Sequence, residues 1–192
     1  MDKKLKIRKT VLLSLIAVLA LIYALQLAFS NKTSRKVFEL SQSPDFIQIE
    51  KGDSKITLVL EGGLWYMGEE KEDVKDSAIK DILENLSAIT SIETVSRNAS
   101  QADYEKYGFQ DIDSITVTAK SAGKTVRELK IGKQGASSTT NYILLDGKND
   151  ILLAAGDLSY KFSLTNEDLK PESKTEGESD NSENPQEEKP SA

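Results

Sequence analysis

Residues 11–29 read VLLSLIAVLALIYALQLAF, and this stretch sets the organisation of the whole chain. It carries no charged residue, and only Ser14 and Gln26 are more polar than tyrosine. As a helix it would rise about 28 Å at ~1.5 Å per residue, close to the ~30 Å thickness of a bilayer's hydrocarbon core. We therefore predict a single transmembrane helix over residues 11–29.

The residues that precede this stretch predict its orientation. Residues 1–10 contain five basic residues and one acid, and such a basic flank normally stays in the cytoplasm. We expect residues 1–10 to form a cytoplasmic basic segment and the chain after residue 30 to lie across the cell membrane.

A cleaved signal peptide is the alternative interpretation of the same stretch. Signal peptides have an apolar region of about 7 to 15 residues, followed by small residues at the cleavage site. Ala28, Phe29 and Ser30 could form such a site. The length of the apolar run, with Lys32 and Arg35 close behind it, favours an uncleaved anchor. Both interpretations place the remaining residues outside the cytoplasm.

Composition narrows the classes of function. Without the anchor and a polar tail, roughly 130 of the 192 residues remain, enough for one domain with its own core. The net charge of −6 argues against a nucleic-acid partner, because that binding depends on clustered cations. The chain has no cysteine and no histidine, so disulfides are excluded, and the usual general base near neutral pH is missing.

Residues 45–169 are predicted to form one extracytoplasmic α+β domain after a juxtamembrane stalk at residues 30–44. Apolar residues alternate along the chain from Phe46 to Leu60 on either side of Gly52-Asp53, which is the pattern of a hairpin. The same pattern predicts further hairpins over residues 114–131 and 142–154. Residues 46–63 and 114–132 resemble each other, which either an internal duplication or ordinary hairpin construction explains.

One main amphipathic helix is predicted at about residues 77–89. Its apolar residues recur at steps of three and four, giving one stripe that faces a sheet; they are Ile79, Ile82, Leu83, Leu86 and Ile89. The predicted fold class is therefore α+β, an antiparallel sheet of hairpins packed by this helix and preceded by the single transmembrane helix.

Two shorter segments and the tail complete the prediction. Ser100 and Asp103 fit a reciprocal cap for a short helix that ends at Gly108. Residues 157–169 are compatible with a strand or a short helix. Residues 170–192 are predicted to be a disordered acidic tail, since they lack the apolar surface needed to offset ordering entropy.

Residues 132–141, GKQGASSTTN, are the longest stretch of small polar residues within the domain. Loops held by a rigid sheet are common binding sites, although a simple mobile connection uses the same residues. Trp65 and Tyr66 should point to opposite faces of a strand, with Trp65 in the core and Tyr66 outward. The candidate binding surface comprises Tyr66, Lys133, Gln134, Asn141 and Tyr142.

The sequence predicts no catalytic residue, no cofactor-binding residue and no metal ligand. A nucleophile would need an adjacent base, and without histidine or cysteine only an unspecific serine-lysine pair remains. The oxygen-rich residues 146–150 lack the ligand spacing of a calcium loop and suit a turn between strands.

The order of features resembles the domain-of-unknown-function 4340 family over about residues 37–165. The residues that carry the resemblance are Gly63-Leu64-Trp65, Tyr107-Gly108-Phe109, residues 129–132 and Tyr142-Ile143. The resemblance implies a bacterial envelope component with one membrane anchor, and some members accompany transport systems of the gliding-motility ABC type.

These observations together lead to two expectations about function. The first is a non-enzymatic accessory or interaction protein of the bacterial envelope, anchored in the membrane and associated with an ABC-type transport system. The alternative is a module that binds an envelope polymer or small ligand through the candidate surface.

Overall fold

The computed structural model describes residues 2–30 and 35–171. The helices are α1 (Asp2–Ser30), α2 (Asp76–Ser87), α3 (Gln101–Lys106), α4 (Leu158–Phe162) and α5 (Asn166–Leu169). The strands are β1 (Lys36–Glu39), β2 (Phe46–Lys51), β3 (Ser54–Glu61), β4 (Leu64–Met67), β5 (Glu72–Asp73), β6 (Ala88–Ser96), β7 (Ile115–Ser121), β8 (Lys124–Gln134), β9 (Thr140–Leu145) and β10 (Ile151–Ala155).

Side chains of α1 are described at Arg8 and over residues 11–25. Within the part of the chain whose side chains the structure describes, no helix is long and apolar enough to cross a membrane.

The strands form one sheet in the order β1-β6-β10-β9-β8-β7-β2-β3-β4-β5. Each pair of neighbours is antiparallel. The three predicted hairpins are β2–β3, β7–β8 and β9–β10, and the α+β class with an antiparallel sheet is confirmed.

Two meanders lie side by side in this sheet. Strands β2 to β5 follow one another outward on one side, and β7 to β10 do so on the other, with β2 and β7 antiparallel where the meanders meet. The first meander leads into α2 and the second into α4. The similarity between residues 46–63 and 114–132 therefore coincides with a repeated topology.

The sheet curls around its inner face. Arg127 of β8 donates a hydrogen bond from Nη2 to the Phe38 carbonyl oxygen of β1 at 2.9 Å. These strands are four places apart in the sheet, which would be about 19 Å in a flat sheet. A side chain can bridge them only because the sheet curves back on itself.

The helix α2 packs into this curve with Ile79, Ile82 and Leu86 buried. It ends at Ser87, two residues before the predicted end, because Ala88 is extended (φ −144°, ψ 108°) and begins β6. Ile89 is buried as a strand residue. An apolar residue at that spacing satisfies a helical stripe and a strand face alike, so the sequence did not distinguish them.

The structure also bears on the other predicted segments. The ambiguous residues 157–169 form α4 and α5. Strand β1 lies inside the segment predicted as a stalk and pairs with β6, so the sheet begins at Lys36 rather than after residue 44. Residues 31–34 of that stalk, and residues 172–192 of the predicted disordered tail, lie outside the described residues.

Two of the short helices, α3 and α5, begin with a capping box in which an aspartate side chain accepts hydrogen bonds from the N-cap residue. In α3, the Ser100 backbone N–H and hydroxyl donate to Asp103 Oδ2 at 2.9 Å and 2.8 Å, as predicted. In α5, the Thr165 backbone N–H and hydroxyl donate to Asp168 Oδ2 at 2.8 Å and 2.7 Å. Hydrogen bonds from the Ser100 backbone lower the pKa of Asp103, and those from the Thr165 side chain and then backbone lower the pKa of Asp168.

We expect the α5 cap to open in acid. Because the pKa of Asp168 is lowered by folding, the cap stabilises α5 above the usual pKa of 3.8 and is lost as pH falls through the lower folded value. The amide resonances of residues 165–169 should shift in an NMR titration with a midpoint below 3.8. Asp168→Asn should abolish this transition, whereas the neighbouring Glu167→Gln should leave it in place. A midpoint above the usual value would contradict the assignment.

Candidate binding surface

The structure separates the predicted surface into two places. Tyr66 lies in β4, whereas Tyr142 lies in β9, five places away in the sheet. At about 4.8 Å per strand this is roughly 24 Å along the sheet. Tyr66 therefore does not share a local surface with the residues around β9.

The opposite orientations predicted for Trp65 and Tyr66 are confirmed. Trp65 is half-buried and packs against the core. Tyr66 is also half-buried and pairs across the strands with Val59 and Asp73 on the outer face. Alternation along one strand accounts for both placements.

The predicted loop at residues 132–141 is shorter than expected. Strand β8 continues to Gln134 and β9 begins at Thr140, leaving residues 135–139 as the turn. The Gly135 amide donates to the Thr140 carbonyl at 2.9 Å. The Thr140 hydroxyl donates to the Ser137 carbonyl at 2.8 Å. The segment is a tightly hydrogen-bonded turn between strands.

Asn141 is fully buried and does not contribute to a surface. It pairs with Ala154 on the inner face, the face opposite that of Tyr142. Its Oδ1 accepts a hydrogen bond from the Ser159 amide at 3.2 Å, while Nδ2 has no hydrogen-bond partner among the described residues. Its role is to position the start of α4, and the prediction of a surface role is corrected.

Tyr142 and Lys133 meet a part of the chain that the predicted surface did not include. The rings of Tyr107 and Tyr142 lie 4.6 Å apart between centroids, with their planes inclined by 55°. Lys106 Nζ lies 4.9 Å from the Tyr107 ring centroid, and Lys133 Nζ lies 3.3 Å from Asp111 Oδ2. We call these five residues the Tyr107–Tyr142 surface. Gln134 is exposed beside it in β8.

The segment after α3 holds Tyr107 in place. Gly108 has φ +78°, which ends the helix and turns Phe109 inward, where it is 2% exposed. The Tyr107 carbonyl accepts a hydrogen bond from the Lys133 amide at 2.9 Å. The Tyr107-Gly108-Phe109 sequence is the signal that could have indicated this surface.

Arg127 is a buried charged residue that sequence reasoning missed. Its side chain is 1% exposed, and Nη1 lies 2.8 Å from Asp146 Oδ2. Asp146 Oδ1 also accepts a hydrogen bond from the Glu128 amide at 3.1 Å. Together with the bond from Arg127 to the Phe38 carbonyl, this arrangement fixes β1 to the body of the domain.

Two grooves lie away from the Tyr107–Tyr142 surface. One of about 560 Å³ runs between α2 and the two C-terminal helices, and Tyr160 on its rim is 79% exposed. Another of about 420 Å³ is lined by Leu60, Trp65, Leu83 and the connection at residues 40–44. Among the described residues there is no group of three or more acidic, histidine or cysteine side chains that could hold a metal ion.

The comparisons with known proteins identify one family. A family model described as a domain of unknown function (DUF4340) matches residues 65–176, which is more than half of the chain. The match begins in β4 and includes the whole of the Tyr107–Tyr142 surface. Searches of curated proteins and of solved structures find no match.

Proposed function

This chain belongs to the family of unknown function DUF4340, and from that premise we propose that it is a membrane-anchored accessory protein of the bacterial envelope. Its domain lies outside the cytoplasm and interacts, without catalysing a reaction, with a membrane-protein complex. The components of an ABC-type transport system are the partners that the family resemblance suggests.

The observation that carries this proposal is the apolar stretch within α1. The large apolar side chains from Val11 to Leu25 are 46–74% exposed. Leaving such surface in water costs about 25 cal/mol for each Å², so a lipid environment is favoured. The uncharged run continues to Phe29, and the basic residues before it support a cytoplasmic N-terminus.

The short connection after α1 supports a role close to the membrane. Arg35 follows Ser30 by only five residues, a span of at most about 18 Å when fully extended. The domain would therefore stay within reach of membrane-embedded partners. The Tyr107–Tyr142 surface combines two half-buried aromatic rings with three exposed charged residues, and aromatic residues are enriched at protein interfaces.

The proposal predicts where the full chain is found in cells. After an alkaline wash, the chain should remain with the membrane fraction, and protease added to spheroplasts should digest its domain. Ile16→Arg places a charge within the apolar run and should release or destabilise the anchor. Leu64→Arg, at a residue 60% exposed in the domain, is the matched control and should leave membrane retention unchanged.

The proposed interaction with a membrane-protein complex is tested separately from the membrane anchor. Gentle crosslinking of native membranes should yield a complex that contains a second membrane protein, and Tyr107→Ala should reduce its amount. Recovery of the anchored protein alone after crosslinking would contradict the accessory role.

The pairing of Tyr107 with Tyr142 beside two lysines also favours the second candidate, a module that binds an envelope polymer. Aromatic rings next to charged groups suit the apolar and polar parts of a sugar chain. In that case the detergent-solubilised chain should sediment with isolated cell-wall polymer, and Tyr142→Ala should abolish this. Tyr160→Ala, at an exposed tyrosine outside the surface, is the control.

A further inference from the structure

The two edges of the sheet carry charges of opposite sign. At the β1 edge, Arg35, Lys36, Arg97 and Lys148 are exposed, and we call these four residues the basic edge. At the β5 edge, residues 69–73 read EEKED. These five residues, which include four carboxylates and one lysine, form the acidic edge. The strands that carry the two edges are the first and last in the sheet.

Contacts bring the basic edge together from three separate parts of the chain. Lys36 and Lys148 line one cavity of about 130 Å³, and Lys148 Nζ lies 5.8 Å from the Phe38 ring centroid. The residue after Arg97 is bound to the same turn, since the Asn98 amide donates to Asp150 Oδ1 at 3.0 Å.

Two of the acids at this edge are already engaged, whereas Glu39 of β1 and Glu93 of β6 are exposed. Asp146 is paired with buried Arg127, and Asp150 accepts the Asn98 amide. The four exposed cations of the basic edge therefore outnumber Glu39 and Glu93, the exposed carboxylates of β1 and β6 that form no ion pair with a described residue. At the acidic edge, Lys71 is paired with Glu61 at 2.6 Å, and Lys170 lies 3.6 Å from Glu72, which leaves most of that edge negative.

The chain brings the basic edge close to the anchor. Arg35 and Lys36 are the first described residues after α1, and at full extension they lie at most about 18 Å and about 22 Å from its end. Strand β1 is paired with β6 over four residues and is held by Arg127. The domain therefore cannot turn its β1 edge far from the membrane without breaking these contacts.

We propose that the basic edge rests on the anionic phospholipid headgroups of the bilayer that holds α1, with the acidic edge directed away from it. Cationic residues next to a membrane anchor are attracted to anionic lipid over about one Debye length, ~10 Å at 0.1 M salt. Val37, which follows Lys36 in β1 and is 54% exposed, adds an apolar side chain that can contact the lipid. This inference rests on the proposed anchoring by α1.

The absence of cysteine from the chain allows a direct test. Asn149→Cys at the basic edge and Glu70→Cys at the acidic edge each supply a single thiol for a fluorophore. The full chain is reconstituted in vesicles of phosphatidylglycerol and phosphatidylcholine that contain a lipid quencher at the headgroup. We expect quenching at position 149 to exceed quenching at position 70 by about twofold or more, and to weaken near 1 M salt.

Charge reversal distinguishes electrostatic contact from mere proximity. Lys36→Glu combined with Lys148→Glu should remove the excess quenching at position 149. Lys55→Glu combined with Lys71→Glu makes the same change in net charge away from the basic edge and should preserve it.

Three results would overturn the inference. Equal quenching at both positions would show that the domain has no preferred orientation. Equal quenching in pure phosphatidylcholine would show that lipid charge is not recognised. Protection of position 149 in native membranes but not in vesicles would assign the edge to a protein partner. Loss of the chain from the vesicles in an alkaline wash would instead refute the anchor itself, and the wash is scored independently of the fluorescence.

Discussion

Asp146→Asn should lower the free energy of unfolding by about 3 kcal/mol, because it removes the negative partner of a buried guanidinium. Arg127 is 1% exposed, so water cannot take the place of the carboxylate around its charge. The Asp146 side chain is 38% exposed, which places the expected loss at the lower end of the range of about 3–5 kcal/mol for breaking a buried pair. Asparagine tolerates the φ of +53° at this position, so backbone strain does not contribute.

The full chain in detergent should therefore melt about 10 °C lower when residue 146 is changed. Asp113→Asn, at an exposed aspartate, is the matched control and should change the melting temperature little. Adding Arg127→Met to Asp146→Asn removes the unpaired charge and should restore part of the loss. A variant of Asp146 as stable as the original chain, or a double variant less stable than the single one, would contradict this account.

The hairpins were predictable because their signal is local. Ile47 and Ile49 alternate with polar residues, and Gly52, with φ +54°, supplies the turn before Ile56 and Leu58 continue the pattern. Strand β6 lies between α2 and α3 and belongs to no hairpin. Its pairing with β1 and β10 joins residues far apart in sequence, and no local pattern specifies that partnership.

The burial of Arg127 could not be predicted from the sequence, for a different reason. Arginine is almost always exposed, so Arg127 carried no signal of its own in the sequence. Its burial depends on the curl of the sheet and on a carbonyl group 89 residues away. The sequence contains both Arg127 and Phe38, but it does not show that they are close in space.

The candidate surface was half predictable for a reason that strand register explains. Trp65 and Tyr66 were assigned correctly because the larger apolar ring faces the core. Asn141 and Tyr142 are also adjacent, but there the polar residue faces inward. A shift of one residue in register exchanges the two faces of a strand, and small polar residues give no independent indication of which face is buried.

Gly132→Ala should also be strongly destabilising, by about 3 kcal/mol, at the upper end of ordinary overpacking. A Cβ at position 132 would collide with the Tyr107 carbonyl oxygen and lie 3.1 Å from the Phe109 ring. The Tyr107 carbonyl cannot withdraw freely because it accepts the Lys133 amide at 2.9 Å. We expect the near-ultraviolet circular dichroism of the tyrosines to change along with stability, since Tyr107 must move away from Tyr142.

Gly135→Ala is the informative control for this substitution. Its added Cβ would lie 2.5 Å from Thr140 Oγ1 and 2.8 Å from Leu153 Cδ1, so both close neighbours are side-chain atoms that can rotate away. A smaller loss of stability is therefore expected. Phe109→Leu added to Gly132→Ala would relieve the contact with the ring but not the collision with the carbonyl group. If that double variant recovered full stability, the ring rather than the backbone would be the reason that only glycine fits at position 132.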